Sequence, residues 1–276
     1  MKFKKLPSVK KIFLLLIICI ISFSSLCNAY PQRIVSTMPS ITEILFALGV
    51  GDKVVGVTLN CNYPKEAAKK EKIGLMNINL EKIISLKPDM IIMLKDSQLQ
   101  DVERLKSRKL PVITINPHSI KDVFKSIEYI GSITGSQNRA QRLASDLRYR
   151  LAMVSSRDKN VIPKSVLVMV GYKPLISAGK ANFINDVIEK AGGVNAIKSK
   201  AAYPQINFEE LYRLDPDVII IPKSIMGASE IKRDNKLARL SAVQNGKILW
   251  VDSDVLFRPG PRIVDAVEIV ARFLNK

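Results

Sequence analysis

The sequence predicts an α/β protein of two similar lobes, each with a mostly parallel central sheet, bridged by one long rigid helix. Two observations predict it. A pattern of fifteen residues occurs twice, as NLEKIISLKPDMIIM at Asn79–Met93 and as NFEELYRLDPDVIII at Asn207–Ile221, with seven identities at a constant offset of 128. Each copy reads as a short helix opened by an Asn cap, a Pro-Asp turn and a buried apolar strand. Between the copies, Ser136–Arg157 contains no Gly or Pro, and Ala140, Leu143, Ala144, Leu147, Leu151 and Val154 recur at three- and four-residue spacing. Ser136 after Gly135 is a suitable helix cap, and the arginines of this run lie largely off the apolar stripe. At 1.5 Å per residue the helix spans roughly 33 Å, about one domain diameter.

Taken in order, Met1–Lys11 carries five lysines and no acid, Ile12–Leu26 is apolar or small throughout, and Cys27-Asn28-Ala29 ends in a small residue. This is the layout of a secretory signal peptide, with cleavage expected after Ala29 and lipidation at Cys27 the weaker option because Leu26 precedes the cysteine. The expected division is therefore 1–29 signal, 30–135 first lobe, 136–158 bridging helix and 159–276 second lobe. Cleavage leaves Cys61 as the one thiol, so no intrachain disulfide is possible, and a plain, partly buried thiol is expected there.

In the first lobe, RIVST is a strand, and Pro39-Ser40 opens a helix stopped by Gly49. KVVGVT is the next strand. A helix is expected near Lys65–Lys72, then the loop GLMNI and the first repeat copy. Leu99–Arg108 is helical, PVITI is a strand, and Ser119 caps a helix to Ile133. In the second lobe, SVLVMVG is a strand, Phe183–Ala191 a helix stopped by Gly192-Gly193, and Val194–Ala202 a loop into the second copy. ILWVDSD, the loop VLFRPGPR and a helix from Ile263 to Leu274 close the chain. The stretches from Arg104-Leu105 to Ile115 and from Arg239-Leu240 to Val251 repeat the order of helix end, break and strand.

Several chemistries have no support. His118 is the one histidine, in a strand-to-helix loop where a solvent-exposed place is expected, so a His-based metal site or a Ser-His-Asp device has too few members. Gly49-Val50-Gly51 follows a helix and lacks a third glycine, and no P-loop is present. Removal of the signal lowers the formal charge from +18 to +13, but the excess is scattered, so a nucleic-acid partner is not expected. A protein that binds without reacting, with no cofactor, fits these absences. A secreted two-lobed α/β enzyme is the rival class, and no acid, base or nucleophile set supports it.

RIVSTMPSITEILFALGVGDKVVGV, NLEKIISLKPDMII, YPQINFEELYRLDPDVIII and SDVLFRPGPRIVDA, in that order, resemble the substrate-binding proteins of ABC importers for cobalamin and iron-siderophores, above all the cobalamin-binding members. The likeness runs from about Arg33 to Leu274. It implies a ligand cleft between the lobes and a glutamate on each lobe that meets arginines of a dimeric permease served by ATPase subunits. Those glutamates correspond to Glu81 and Glu209. It also implies a bulky ligand, a periplasmic location and a monomer. The family's aromatic cleft wall corresponds to Asn60, Leu75, Leu94, Tyr172 and Tyr203, so three rings are missing. Its final cleft loop corresponds to Asp254–Arg258. Leu75 stands where haem binders use a tyrosine. The expected ligand contacts are Asn60, Met76, Lys95, Tyr172, Tyr203, Asp254, Phe257 and Arg258. Aromatic faces and two cations suit a corrinoid or an anionic chelate. An iron-siderophore or haem is the alternative ligand.

Overall fold

The computed structural model describes residues 30–75, 77–155 and 162–276, and Pro31–Lys276 forms one unit. The expected signal segment, Met76 and the end of the bridging helix at 156–158 lie outside the described residues. In order, the elements are β1 (Ile34–Ser36), α1 (Pro39–Ala47), β2 (Val54–Val57), α2 (Lys65–Ala68), β3 (Glu71–Lys72), α3 (Leu80–Ser85), β4 (Met90–Leu94), α4 (Leu99–Ser107), β5 (Val112–Ile115), α5 (Ile120–Thr134) and α6 (Gln137–Ser155). There follow β6 (Ser165–Gly171), β7 (Ile176–Ser177), α7 (Phe183–Lys190), β8 (Val194–Asn195), α8 (Phe208–Leu214), β9 (Val218–Pro222), α9 (Ala228–Arg233), α10 (Ser241–Gln244), β10 (Ile248–Val251), α11 (Ser253–Leu256) and α12 (Ile263–Leu274).

Two sheets result, one before α6 and one after it. The first has the order β3-β2-β1-β4-β5 and is parallel throughout. The second has the order β10-β9-β6-β7, with β8 also on β6, and only β7 runs antiparallel. The repeat is visible in the register. Ile34 pairs with Met90 as Val166 pairs with Val218, and Met90 and Val218 are 128 residues apart. Asp89 accepts the backbone N–H groups of Gln32 (2.7 Å) and Arg33 (2.9 Å), while Asp217 accepts that of Ser165 (2.7 Å). The Pro-Asp turn therefore ties each repeat strand to the start of its neighbour in both halves.

The strands alternate between two buried faces. Ile34, Ile92, Val166, Val168, Val218 and Ile220 join one apolar cluster shared by both sheets. Their neighbours Val35, Ile91 and Met93 pack into a second cluster in the first half, and Leu167, Met169, Ile219 and Ile221 into a third in the second half. Burial on both faces is why these strands read as unbroken apolar runs. Ile220 is completely buried in this arrangement, and truncating such a residue to Ala costs about 2–5 kcal/mol.

α6 packs against α5, α12 and α7. Ala140, Ala144, Leu147 and Val154 of its stripe are buried. Gly131 lets α5 and α6 approach closely, since a Cβ there would lie 2.3 Å from the Ala140 methyl. Off the stripe, Arg148 meets Glu128 of α5 (2.8 Å), while Arg150 meets Asp265 (2.6 Å) and Glu268 (2.9 Å) of α12. The helix is thus pinned to elements from before and after it. Among the described residues no helix is long and apolar enough to cross a membrane.

Some elements differ from expectation. The helix expected near Lys65–Lys72 ends at Ala68, and Glu71–Lys72 instead extend the first sheet by pairing with Gly56 and Val57. Val194–Asn195, expected as loop, pair with Ser165 and Val166. The short helices α9, α10 and α11 are too brief for a periodic signal. Cys61 is fully buried rather than partly, accepting from Thr42 Oγ1 at 3.2 Å.

Candidate functional site

In open parallel sheets ligands are held beyond the carboxyl ends of the strands. The expected contact residues sit there. Asn60 follows β2, Lys95 follows β4, Tyr172 follows β6, and Asp254, Phe257 and Arg258 follow β10. Tyr203 lies in the loop before α8, which the Ile176–Gln205 bridge and the Ser177 N–H to Pro204 carbonyl bond (3.1 Å) hold beside β7.

The structure brings Asn60, Asp254 and Arg258 together. Arg258 is only 8 % exposed. Its Nη1 donates to Glu43 Oε1 (2.9 Å) and Asn62 Oδ1 (2.9 Å), and its Nη2 to the Asn60 carbonyl (3.0 Å) and Asp254 Oδ1 (2.7 Å). Arg262 grips the same Glu43 through Nε to Oε2 (2.9 Å) and Nη2 to Oε1 (2.6 Å). Asn62 Nδ2 returns to Asp254 Oδ2 (2.8 Å). Hydrogen bonding to Glu43 raises the Arg262 guanidinium above its ordinary value, against the opposing effect of burial. Arg262 also lies over the Tyr63 ring, 4.2 Å from its centroid. The Arg258 guanidinium is thus engaged by the protein's own groups. Two arginines face two carboxylates, so the cluster is charge-balanced. Breaking one partner of such a buried pair costs about 3–5 kcal/mol.

Tyr172 belongs to a second cluster. Its hydroxyl donates to Asp234, its ring meets Phe208 edge-on at 6.3 Å, and Phe208 meets Tyr212 at 6.2 Å. Lys173 and Lys236 lie over the Tyr172 and Phe208 rings. Burial, then the bond to Asp234, pushes the Tyr172 phenol up to about 12. Burial works to raise the Asp234 carboxyl, but the bonds from Tyr172 and from the Leu237 and Lys236 N–H groups together hold it below the usual carboxylate range. Beside this cluster is a concavity of about 750 Å³ lined by Tyr172, Lys173, Ile225, Met226, Arg233 and Asp234.

The other expected contacts remain apart. Lys95 and Tyr203 are exposed, and no hydrogen bond or ion pair of their side chains joins them to either cluster among the described residues. Phe257 is partly buried on the shared apolar cluster. Met76 lies outside the described residues. His118 is exposed as expected, 3.1 Å from Asp96, and Asn116 Nδ2 donates to that same carboxylate at 2.8 Å.

Glu81 and Glu209 occupy matching places. Each stands two residues after an Asn whose side chain caps the helix, Asn79 accepting from Lys82 N (2.9 Å) and Asn207 from Glu210 N (2.7 Å). Both glutamates are exposed, and among the described residues neither has a cationic partner.

Sequence reasoning missed Glu43, Asn62, Arg262 and Asp234. Glu43 had a legible signal, a lone charge within the apolar run ITEILFAL. Arg258 and Arg262 stand four apart in RPGPR, but nothing local shows that both aim at one carboxylate in the other half.

The fold and this geometry define a two-lobed binding protein, and residues 34–255 match the periplasmic binding protein family, to which the chain belongs. Over 87 % of its length it is 37 % identical to an uncharacterized ABC transporter substrate-binding lipoprotein, YvrC, of Bacillus subtilis, covering 79 % of that protein. The solved periplasmic vitamin B12 binding protein BtuF of Vibrio cholerae superposes with a TM-score of 0.80 at 30 % identity, over 89 % of this chain and 97 % of that one. A periplasmic heme binding protein from Pseudomonas aeruginosa gives 0.79 at 26 %, over 89 % and 94 %.

Proposed function

We propose that this protein is the substrate-binding component of an ABC importer, without enzymatic activity, that captures cobalamin or a related corrinoid and delivers it to a dimeric permease. The observation that carries the reading is the match along nearly the whole fold to the Vibrio cholerae vitamin B12 binding protein. The site chemistry supports it. Tyr203 offers an exposed ring to a large planar ligand, and Tyr172 and Phe257 stand partly buried beyond the strand ends. A corrinoid periphery is rich in amides, which need hydrogen bonds rather than counter-charges, and Asn60 and Lys95 are exposed at the strand ends. An anionic chelate would find the two arginines of the β10–α12 loop already neutralised by Glu43 and Asp254. Glu81 and Glu209 are the permease contacts in this reading, and residues 1–29 are read as the signal that would export the protein to the periplasm. Cys27 offers lipid attachment as the other route, in line with the lipoprotein name of the Bacillus subtilis relative.

Haem is the second reading, supported by the Pseudomonas aeruginosa likeness. A haem iron would take Tyr203, a residue 51 % exposed, since Tyr172 is bound to Asp234 and Cys61 is buried. Spectrophotometric titration separates the two. Cyanocobalamin should saturate at one equivalent with low-micromolar or tighter affinity, and hemin should show no ligand-field change that depends on Tyr203. Saturable hemin binding lost in Tyr203→Phe, with no cyanocobalamin binding, would replace the corrinoid by haem.

A further inference from the structure

We propose that Glu43 is a positioning residue for the cleft, holding the loop after β10 against the loop after β2 through Arg258 and Arg262. The binding arm of this inference rests on the corrinoid reading above, while its structural arm does not. Glu43 is 3 % exposed on α1, between the fully buried Thr42 and Ile44, where an ionised carboxylate persists only if its partners are fixed. Both of its oxygens are occupied, by one guanidinium at Oε2 and two at Oε1. The residues joined lie 215 and 219 positions apart in sequence, so no local preference sets their spacing. Arg258 then passes the constraint on. It holds the Asn60 carbonyl, Asn62 and Asp254 at once, and Asn62 closes the ring by bonding Asp254. Gly260 brings the same loop against Ser40, one turn before Glu43, within 3.4–3.6 Å of where its Cβ would stand. Removal of Glu43 therefore unties this ring, and with it Asn60, Asp254 and the neighbouring Phe257, from α1, although Glu43 itself is buried.

The test compares the whole protein with Glu43→Gln, Arg262→Gln and, as a control, the exposed Glu103→Gln. Hydrogen exchange read by mass spectrometry should show protection lost at least tenfold in two segments, 58–64 and 252–262. β4 and β9 should keep their wild-type protection, and the control should not change. Arg262→Gln, which leaves Arg258 on Glu43, should show the same two segments with a smaller loss. Uniform loss throughout either variant, or no local change in both, overturns the positioning role. Cyanocobalamin titration adds the functional arm. Binding weakened at least tenfold in Glu43→Gln supports the proposal, and unaltered affinity overturns it. A wild-type protein that does not bind cyanocobalamin removes the corrinoid reading and leaves the exchange result to decide the role of Glu43.

Discussion

The two halves share a frame and differ at their mouths. Both repeat helices are capped by an Asn and end on a left-handed residue before proline, Lys87 (φ 45°) and Asp215 (φ 31°), again 128 residues apart. Both continue through Pro-Asp, with the aspartate tied to the neighbouring strand. Beyond the strand ends the likeness stops. The first half closes with polar groups. Thr37 Oγ1 donates to Gln98 Oε1 (2.7 Å), and Asn116, Asp96 and His118 form an exposed trio. The second half closes with the Tyr172–Phe208–Tyr212 rings and their lysines. Backbone-directed interactions of Asn, Asp and Pro repeat because each half must solve the same helix-to-strand problem. The strand-end loops are free of that demand.

The largest effect expected from this comparison concerns Glu81 and Glu209. If the frame presents both to a two-fold permease, Glu81→Ala and Glu209→Ala should each weaken docking by about 2 kcal/mol or more, by similar amounts. The double variant should abolish import in a strain lacking the native gene while ligand affinity stays unchanged. Normal import by the double variant removes the docking role, and lost ligand binding places these glutamates in the site.

A smaller effect tests the aromatic mouth, which has no counterpart in the first half. Tyr172 should ionise near pH 12 in an ultraviolet difference titration, later than an ordinary tyrosine at about 10. Asp234→Asn should bring it back toward that value. Because the folded-state value is raised, this group contributes stability below about pH 10 that is lost as pH rises toward 12. Asp234 works in the opposite window, its contribution being lost as pH falls through its lowered value. Unchanged ionisation in the Asp234 variant would mean that burial alone governs the phenol.

The smallest effect lies in the frame itself. A residue with a Cβ at positive φ is strained, so Lys87→Gly should stabilise the protein by about 0.5–1 kcal/mol in urea denaturation. Asp215→Gly should instead destabilise by about 1 kcal/mol. It relieves similar strain but loses the bonds from Ser241 N (3.0 Å) and Ser241 Oγ (2.6 Å) that hold the start of α10. Equal gains at both sites would show the two turns to be interchangeable.

The sequence by itself determined what is local or periodic. The Asn caps, the Pro-Asp turns, the helix Ile263–Leu274 and the strand Ser165–Gly171 stand where propensity and period place them. The apolar stripe of α6 was legible for the same reason, as were Glu81 and Glu209, because a repeat marks equivalent positions without any contact between them. The tertiary structure decided what depends on distance between remote residues. Arg258 reads in sequence as a cation on a loop, and only the fold shows Glu43 arriving from 215 residues away to neutralise it. Tyr172 reads as a free ring, and only the fold sets Asp234 on its hydroxyl and Phe208 at its edge. Side-chain period and capping are properties of a few consecutive residues, whereas a charge pair is a property of two surfaces that meet only after both halves have folded.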